Sequence, residues 1–266
     1  MSATAVGARR RSGLRRRLWT LIGTLAMLVS TGAVVGCASV VRVAGPAIGG
    51  AALYRAHCDE RVIALTLDDG PVVGSTEGLL EVLAANDSHA TFFLIGERAQ
   101  LHGELVEAIL ARGHEIGNHT YVEAPTFRLE DAQARDSIER THAILSSYAD
   151  IHWFRPGSAR FNDEMLAVAG ELGYQIALAD TFPYDTFITS TSFHAWYIRR
   201  SVRPGSIIVL HNAHGRGVRA AETLSRVLPL LRKDGYRVVS LGELAADPTC
   251  TLPIDPPRDP VGRLVD

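Results

Sequence analysis

The chain has 266 residues, a formal net charge of −2 and 47% hydrophobic residues. This length suits one large domain with appendages, and the apolar content is ample for a core. A nucleic acid is not expected as a partner, because nucleic-acid-binding domains carry a clear basic excess that this chain lacks.

Residues 1–37 are predicted to be a targeting segment. Arginines at positions 9–11 and 15–17 form a basic region, and residues 18–35 are apolar without a charge. Val34-Val35-Gly36-Cys37 resembles a bacterial lipoprotein cleavage box, in which Cys37 is lipidated and the preceding residues are removed. An uncleaved membrane anchor and twin-arginine export are the alternatives. All three place the domain outside the cytoplasm, and we expect it to be attached to the outer face of the cell membrane.

Residues 38–57 are predicted to be a tether because glycine, alanine and valine predominate there. A folded domain is expected over residues 58–250, followed by a C-terminal tail over residues 251–266. Cys58 and Cys250 lie at the two ends of this domain. In an exported protein such a pair can form a disulfide that clamps the domain ends, and two unpaired thiols are the alternative.

The folded part alternates short apolar runs with stretches of helical spacing. Repeated βα units with buried strands predict a parallel sheet with helices outside, and about seven units favour a barrel over an open sheet. Strands are predicted at residues 62–67, 90–96, 115–119, 151–155, 175–179, 206–210 and 236–240. Helices are predicted at residues 77–86, 101–112, 129–148, 163–172, 192–201 and 220–234.

Charged or titratable side chains stand where five of these strands end. They are Asp68 and Asp69, His119 with Glu123 four residues on, Arg155, Asp180 with Asp185, and His211. The carboxyl ends of strands are where α/β proteins build their sites, so these residues predict one shared pocket. Two adjacent carboxylates after a buried strand also call for a cation or a strong donor nearby. Asp68 as a cap of the next helix is the alternative for that stretch.

From about residue 61 to residue 244 the chain resembles the polysaccharide deacetylase family, carbohydrate esterase family four. Thr66-Leu67-Asp68-Asp69-Gly70 resembles its first motif, in which Phe is commoner than Leu at the second place. Phe154-Arg155-Pro156-Gly157 and Val209-Leu210-His211 resemble its third and last motifs. Residues 180–185 occupy the place of the fourth motif without its usual Asp-Trp ending. The resemblance implies a distorted (β/α) barrel and metal-dependent removal of acetyl groups from N-acetylated sugars.

The resemblance also implies roles for the strand-end residues. Asp68 is the expected general base and His211 the general acid, since histidine can donate a proton near neutral pH. Arg155 is expected to orient the base. Asp185, with Asp180 as the alternative, is expected to pair with Arg155.

A divalent metal ion is the expected cofactor, with Asp69 and His119 as ligands by resemblance. In His119-Thr120-Tyr121-Val122-Glu123 a glutamate stands where the family has a second histidine. The spacing lets Glu123 reach an ion held by His119, and a solvent-facing Glu123 beside a degraded site is the alternative. Zinc is the first choice, and two carboxylate ligands make manganese, cobalt or magnesium competitive.

Two functions compete at this stage. The first is an exported, membrane-tethered, metal-dependent hydrolase that removes N-acetyl groups from an envelope or extracellular glycan of N-acetylglucosamine type. The second is a catalytically impaired relative that binds glycan without turnover. Retention of Asp68, Arg155 and His211 favours the first, because binding alone needs no base, orienting cation and acid.

Overall fold

The computed structural model describes residues 52–126, 129–213 and 215–253, all of which fall in the structural unit Gly49–Asp266. The predicted targeting segment, residues 38–51 of the predicted tether and residues 254–266 of the tail lie outside the described residues. Within the described ranges, no helix has the length and apolar character needed to cross a bilayer.

A parallel sheet occupies the centre of the described part of the chain. Its strand order is β1-β7-β6-β5-β4-β3-β8, and β9 also pairs with β3. The strands are β1 (Ala52–Leu53), β2 (His57–Cys58), β3 (Val62–Gly70), β4 (Thr91–Leu94), β5 (Glu115–Asn118), β6 (Trp153–Phe154), β7 (Gln175–Ala177), β8 (Ile207–His211), β9 (Arg237–Val239) and β10 (Cys250–Thr251). Strands β2 and β10 form a separate antiparallel pair.

Helices connect the strands and cover the sheet. They are α1 (Ser75–Ala85), α2 (Gly96–Leu101), α3 (Gly103–Ala111), α4 (Asp131–Leu145), α5 (Asp163–Glu171), α6 (Thr191–Ser201), α7 (Arg216–Lys233) and α8 (Leu241–Ala246). Their apolar faces pack on the sheet through fully buried side chains such as Leu79, Ile138 and Leu231. The core therefore lies between sheet and helices, as expected for buried parallel strands.

Strand β3 is the longest strand of the described sheet, and all nine of its residues are buried. It pairs with β4, with β8 and with β9. The strand path also returns toward β8, because Thr181, just after β7, forms a parallel bridge with Ile208. The prediction of an α/β fold with about seven parallel strands and a distorted barrel is confirmed, since the seven predicted strands correspond to β3 to β9.

The main differences from the predicted elements lie at the start of the domain, around His102 and after Ser240. The domain begins before residue 58, because Ala52–Leu53 pairs with β7 and both Leu53 and Ala56 are fully buried. The helix predicted at residues 101–112 is α3, Gly103–Ala111, and the helix α2 that precedes it, Gly96–Leu101, was not predicted. Helix α8 was not predicted, although Ser240 and Glu243 form a reciprocal capping box that marks its start.

The two ends of the domain are joined by a disulfide between Cys58 and Cys250. Cys58 of β2 stands opposite Cys250 of β10 in the antiparallel pair, which brings two residues 192 positions apart into contact. The predicted disulfide is thus confirmed, and it fits a protein that folds in an oxidising compartment.

Candidate active site

The two aspartates that follow the apolar run of β3 lie on the same side of the sheet edge. Successive side chains of a regular strand point to opposite faces. Here the register with β4 shifts between Asp68 and Gly70, and Asp69 has a positive φ of 67°. This bulge turns Asp69 toward the site, so that both carboxylates face His119 Nε2, at 3.9 Å from Asp68 Oδ2 and 3.5 Å from Asp69 Oδ1. Helix α1 begins after Gly74, so Asp68 is not its cap.

Arg155 holds Asp68 in place from the end of β6. Its Nη1 donates to Asp68 Oδ1 at 2.6 Å and to Thr66 Oγ1 at 2.7 Å. Its Nε and Nη2 donate to the carbonyl oxygens of Ala177 and Leu178 at 2.8 and 2.9 Å. Burial lowers the pKa of Arg155, and the charge of Asp68 opposes that effect. A guanidinium bonded through Nε, Nη1 and Nη2 fixes the direction of the Asp68 carboxylate, and the predicted contact between Arg155 and Asp68 is present.

His119 follows β5 and presents one ring nitrogen to the two aspartates. Its Nδ1 lies 2.7 Å from the carbonyl oxygen of Arg155. A carbonyl only accepts hydrogen bonds, so Nδ1 carries a proton and Nε2 is the nitrogen available to another group. Burial on its own lowers the pKa of His119, but the charges of Asp68 and Asp69 outweigh burial and raise it above its ordinary value.

His211 ends β8 and pairs with Asp185. Its Nδ1 lies 3.0 Å from Asp185 Oδ1, and its backbone N–H donates to Asp185 Oδ2 at 2.9 Å. Burial lowers the pKa of His211, but Asp185, with smaller contributions from Asp68 and Asp69, raises it to about 9. The predicted pairing of Asp185 with Arg155 is therefore wrong. Asp185 instead contacts the imidazole Nδ1 and the backbone N–H of His211.

Asp180, the alternative partner of Arg155, serves the opposite end of β8. Its Oδ1 accepts from the backbone N–H of Ile207 at 3.0 Å, and its Oδ2 accepts from Ser206 Oγ at 3.0 Å. Burial raises the pKa of Asp180, and these hydrogen bonds oppose the rise. Asp180 thus secures the start of β8.

Glu123 is bound by two arginines. Arg98 Nη2 donates to Glu123 Oε2 at 2.6 Å, and Arg216 Nη1 lies 3.6 Å from Glu123 Oε1. Arg216 Nη1 also donates to Asp69 Oδ2 at 3.2 Å. Burial raises the pKa of Asp69, but His119, His211 and Arg216 together bring it down to about 2. The alternative combined a solvent-facing Glu123 with a degraded site, and the structure contradicts its first part, because the carboxylate contacts Arg98 and Arg216.

Two of the three predicted ligands, Asp69 and His119, fit a divalent ion. The carboxylate of Asp69 and the unprotonated form of His119 Nε2 are ordinary ligands of such an ion, and the carbonyl bond to Nδ1 orients the ring for that role. In the described ranges, however, no group of three or more His, Cys, Asp or Glu side chains is arranged to hold a metal. The predicted set of Asp69, His119 and Glu123 is not assembled, because Arg98 and Arg216 hold the third member.

Several residues of the site were missed by sequence reasoning. Thr66 lies within the first motif and bonds Arg155, while Arg98 and Arg216 lie on helices with no motif of their own. Gly157, the last residue of the third motif, has no room for a side chain, because a Cβ there would overlap the carbonyl oxygen of Ala124. Only glycine allows this close approach, which seats the segment that follows Glu123.

Comparison with known proteins identifies relatives of this chain. The polysaccharide deacetylase family model matches residues 55–177. A peptidoglycan-N-acetylglucosamine deacetylase from Bacillus cereus is 32% identical over 70% of this chain and 89% of that protein. A chitooligosaccharide deacetylase from a Bradyrhizobium species is 27% identical over 69% of this chain and 90% of that protein.

Solved structures show the same relationship. The Bc1960 peptidoglycan N-acetylglucosamine deacetylase superposes with a TM-score of 0.70 at 28% identity, covering 75% of this chain and 94% of that one. A family 4 acetyl xylan esterase from Clostridium thermocellum, solved with cobalt, gives 0.62 at 28% identity over 68% and 89% of the two chains. The BA3943 pseudoenzyme from Bacillus anthracis gives 0.65 at 25% identity over 74% and 69%.

Proposed function

Because this chain belongs to the polysaccharide deacetylase family, we propose that it hydrolyses N-acetyl groups of a peptidoglycan- or chitooligosaccharide-type glycan in a metal-dependent reaction. The observation that carries the proposal is the placement of a base and an acid beside one pair of metal-type donors. Asp68 is held by Arg155, and His211, its register partner across β3 and β8, is held by Asp185. His119 Nε2 lies 3.5 Å from Asp69 Oδ1.

The residues divide the reaction as follows. Asp69 and His119 would hold the ion, with Glu123 as the proposed third ligand once Arg216 releases its Oε1. The chemistry that a bound divalent ion supplies there is polarisation of the acetyl carbonyl and activation of water. Asp68, with Oδ1 fixed by Arg155, accepts the proton of the attacking water at its carboxylate.

His211 completes the reaction as general acid. Since Asp185 accepts from Nδ1, the proton that can be transferred is on Nε2. The pKa of about 9 keeps His211 protonated at neutral pH, so that it can donate to the departing amine. Each half of the amide hydrolysis thus has a named proton carrier.

The domain is proposed to work in the cell envelope, exported and attached to the outer face of the membrane through a lipid on Cys37 or an uncleaved N-terminal helix. The basic and apolar N-terminal sequence and the Cys58–Cys250 disulfide support export. Mass spectrometry of Cys37 in the membrane fraction tests the lipid: an unmodified cysteine within an intact N-terminus would favour the helix.

Acetate release by the purified full chain tests the proposed activity, with peptidoglycan and chitooligosaccharides as substrates. The chain is stripped of metal and then supplied with zinc, manganese, cobalt or magnesium. We expect activity with at least one ion and a loss of about 10²–10⁴-fold in Asp68→Asn, because the amide cannot accept the proton of water. Activity of the Asn variant within about tenfold of the parent would remove Asp68 from the role of base. No release with any ion from either substrate would instead indicate a non-catalytic relative.

A further inference from the structure

The guanidinium of Arg216 lies between two carboxylates that the proposed function assigns to metal binding. Its Nη1 is 3.2 Å from Asp69 Oδ2 and 3.6 Å from Glu123 Oε1. Arg98 completes the arrangement, since its Nη2 binds Glu123 Oε2 and its Nη1 donates to the carbonyl oxygen of Asp69. A cation of this chain therefore already bridges the carboxylates of two different loops.

Three carboxylates in the described part of the site each contact a guanidinium. Asp68 contacts Arg155, Asp69 contacts Arg216, and Glu123 contacts both Arg98 and Arg216. Buried or half-buried carboxylates are costly unless they are paired, and here each has a guanidinium partner. The protein can thus keep these ligands in place before any metal arrives.

The position of Arg216 on its helix also indicates that its contacts with Asp69 and Glu123 hold the side chain in place. Arg216 is the first residue of α7, whose first turn contains no acidic residue. The N-terminus of a helix carries partial positive charge, so an arginine there is electrostatically unfavourable on its own. Contact with Asp69 and Glu123 offsets that cost, and the side chain remains only 23% exposed.

We propose that Arg216 is a built-in counter-ion that competes with the divalent ion for Asp69 and Glu123, and so sets the metal affinity of this site. This inference rests on the metal site of the proposed function. A divalent ion at Asp69 must either displace the guanidinium or lie close to a like charge, and both weaken binding. Arg98 is not displaced in this scheme, because it binds Glu123 through the other oxygen.

Isothermal titration of the metal-free full chain with manganese and with zinc tests the proposal directly, without reference to catalysis. We expect Arg216→Gln to bind at least about tenfold more tightly than the parent, because one nearby positive charge is gone. The matched control is Arg226→Gln on the same helix, which removes the same charge from an exposed pair with Glu222. That control is expected to leave the affinity within about twofold of the parent.

A double-mutant cycle separates competition from a general charge effect. In a Glu123→Gln background, Arg216 loses one of its two carboxylates and the ion loses a ligand, so the two substitutions are expected to be non-additive. Circular dichroism melts of each variant establish that the fold is retained.

The outcomes are distinct. Tighter binding in Arg216→Gln with an unchanged control supports the inference, including the case in which only the variant binds measurably. Binding by the parent that is unaltered in Arg216→Gln overturns the counter-ion role and leaves the metal site standing. No binding heat from the parent and from Arg216→Gln overturns the inference together with the metal site of the proposed function.

Discussion

Replacement of Asp185 by Asn tests how the protein keeps its proposed acid protonated. His211 has a pKa of about 9 instead of 6.5, and this difference corresponds to about 3 kcal/mol because each pKa unit is worth about 1.4 kcal/mol. The hydrogen bond of 3.0 Å from Nδ1 to Asp185 and the charge of Asp185 are the leading causes that raise the value, while Asp68 and Asp69 add to them. Asn keeps an acceptor but removes the charge, so we expect the pKa to fall by about 1–2 units.

Two measurements follow this change. Histidine ring NMR signals of the metal-free chain, recorded from pH 5 to pH 10.5, give the pKa of His211 directly in parent and variant. The alkaline limb of kcat/KM for acetate release should move to lower pH in the variant, because the acid loses its proton earlier. Asp180→Asn is the matched control, since that carboxylate bonds Ile207 and Ser206 at the other end of the same strand.

The pH dependence of stability tests the interaction between His211 and Asp185 independently. The folded pKa of His211 lies above its unfolded value, so the pair stabilises the fold fully below about pH 6.5 and the contribution is lost as pH rises through about 9. Asp185→Asn should therefore destabilise more at pH 6 than at pH 10. An NMR pKa within 0.3 of the parent, roughly the precision of such a titration, would show that Asp185 does not hold the proton of His211.

Two further predictions concern the stability of the domain. Reduction of the Cys58–Cys250 disulfide opens a loop with a sequence separation of 192 residues, and we expect it to lower the free energy of unfolding by up to about 5 kcal/mol in urea melts. Two reactive thiols in the denatured, unreduced domain would show that the bridge does not form. Burial lowers the pKa of His114 to about 4, with help from His89 and Arg112, so stability should fall as pH drops from 6.5 toward 4. His114→Leu should flatten that dependence, and equal slopes in parent and variant would contradict the reasoning.

Much of the fold follows from local sequence. The runs that became β3 to β9 are short and rich in apolar or aromatic residues, and such signals act over a few neighbouring positions. The strand ends of a parallel sheet lie at one edge, so Asp68, His119, Arg155 and His211 could be placed together from order alone. Local sequence did not predict β1, because its two residues form a strand only by pairing with β7.

Partner choice was decided by the tertiary structure. Sequence order placed Asp185 near the site but assigned it to Arg155, whereas it pairs with His211, because loop geometry sets which groups come within 3 Å. It placed Glu123 within reach of an ion, yet Arg98 and Arg216 reach its carboxylate from two helices that carry no motif. Spacing along a chain fixes what one strand or helix presents, whereas the pairing of charges across separate loops depends on distances that only the folded chain defines.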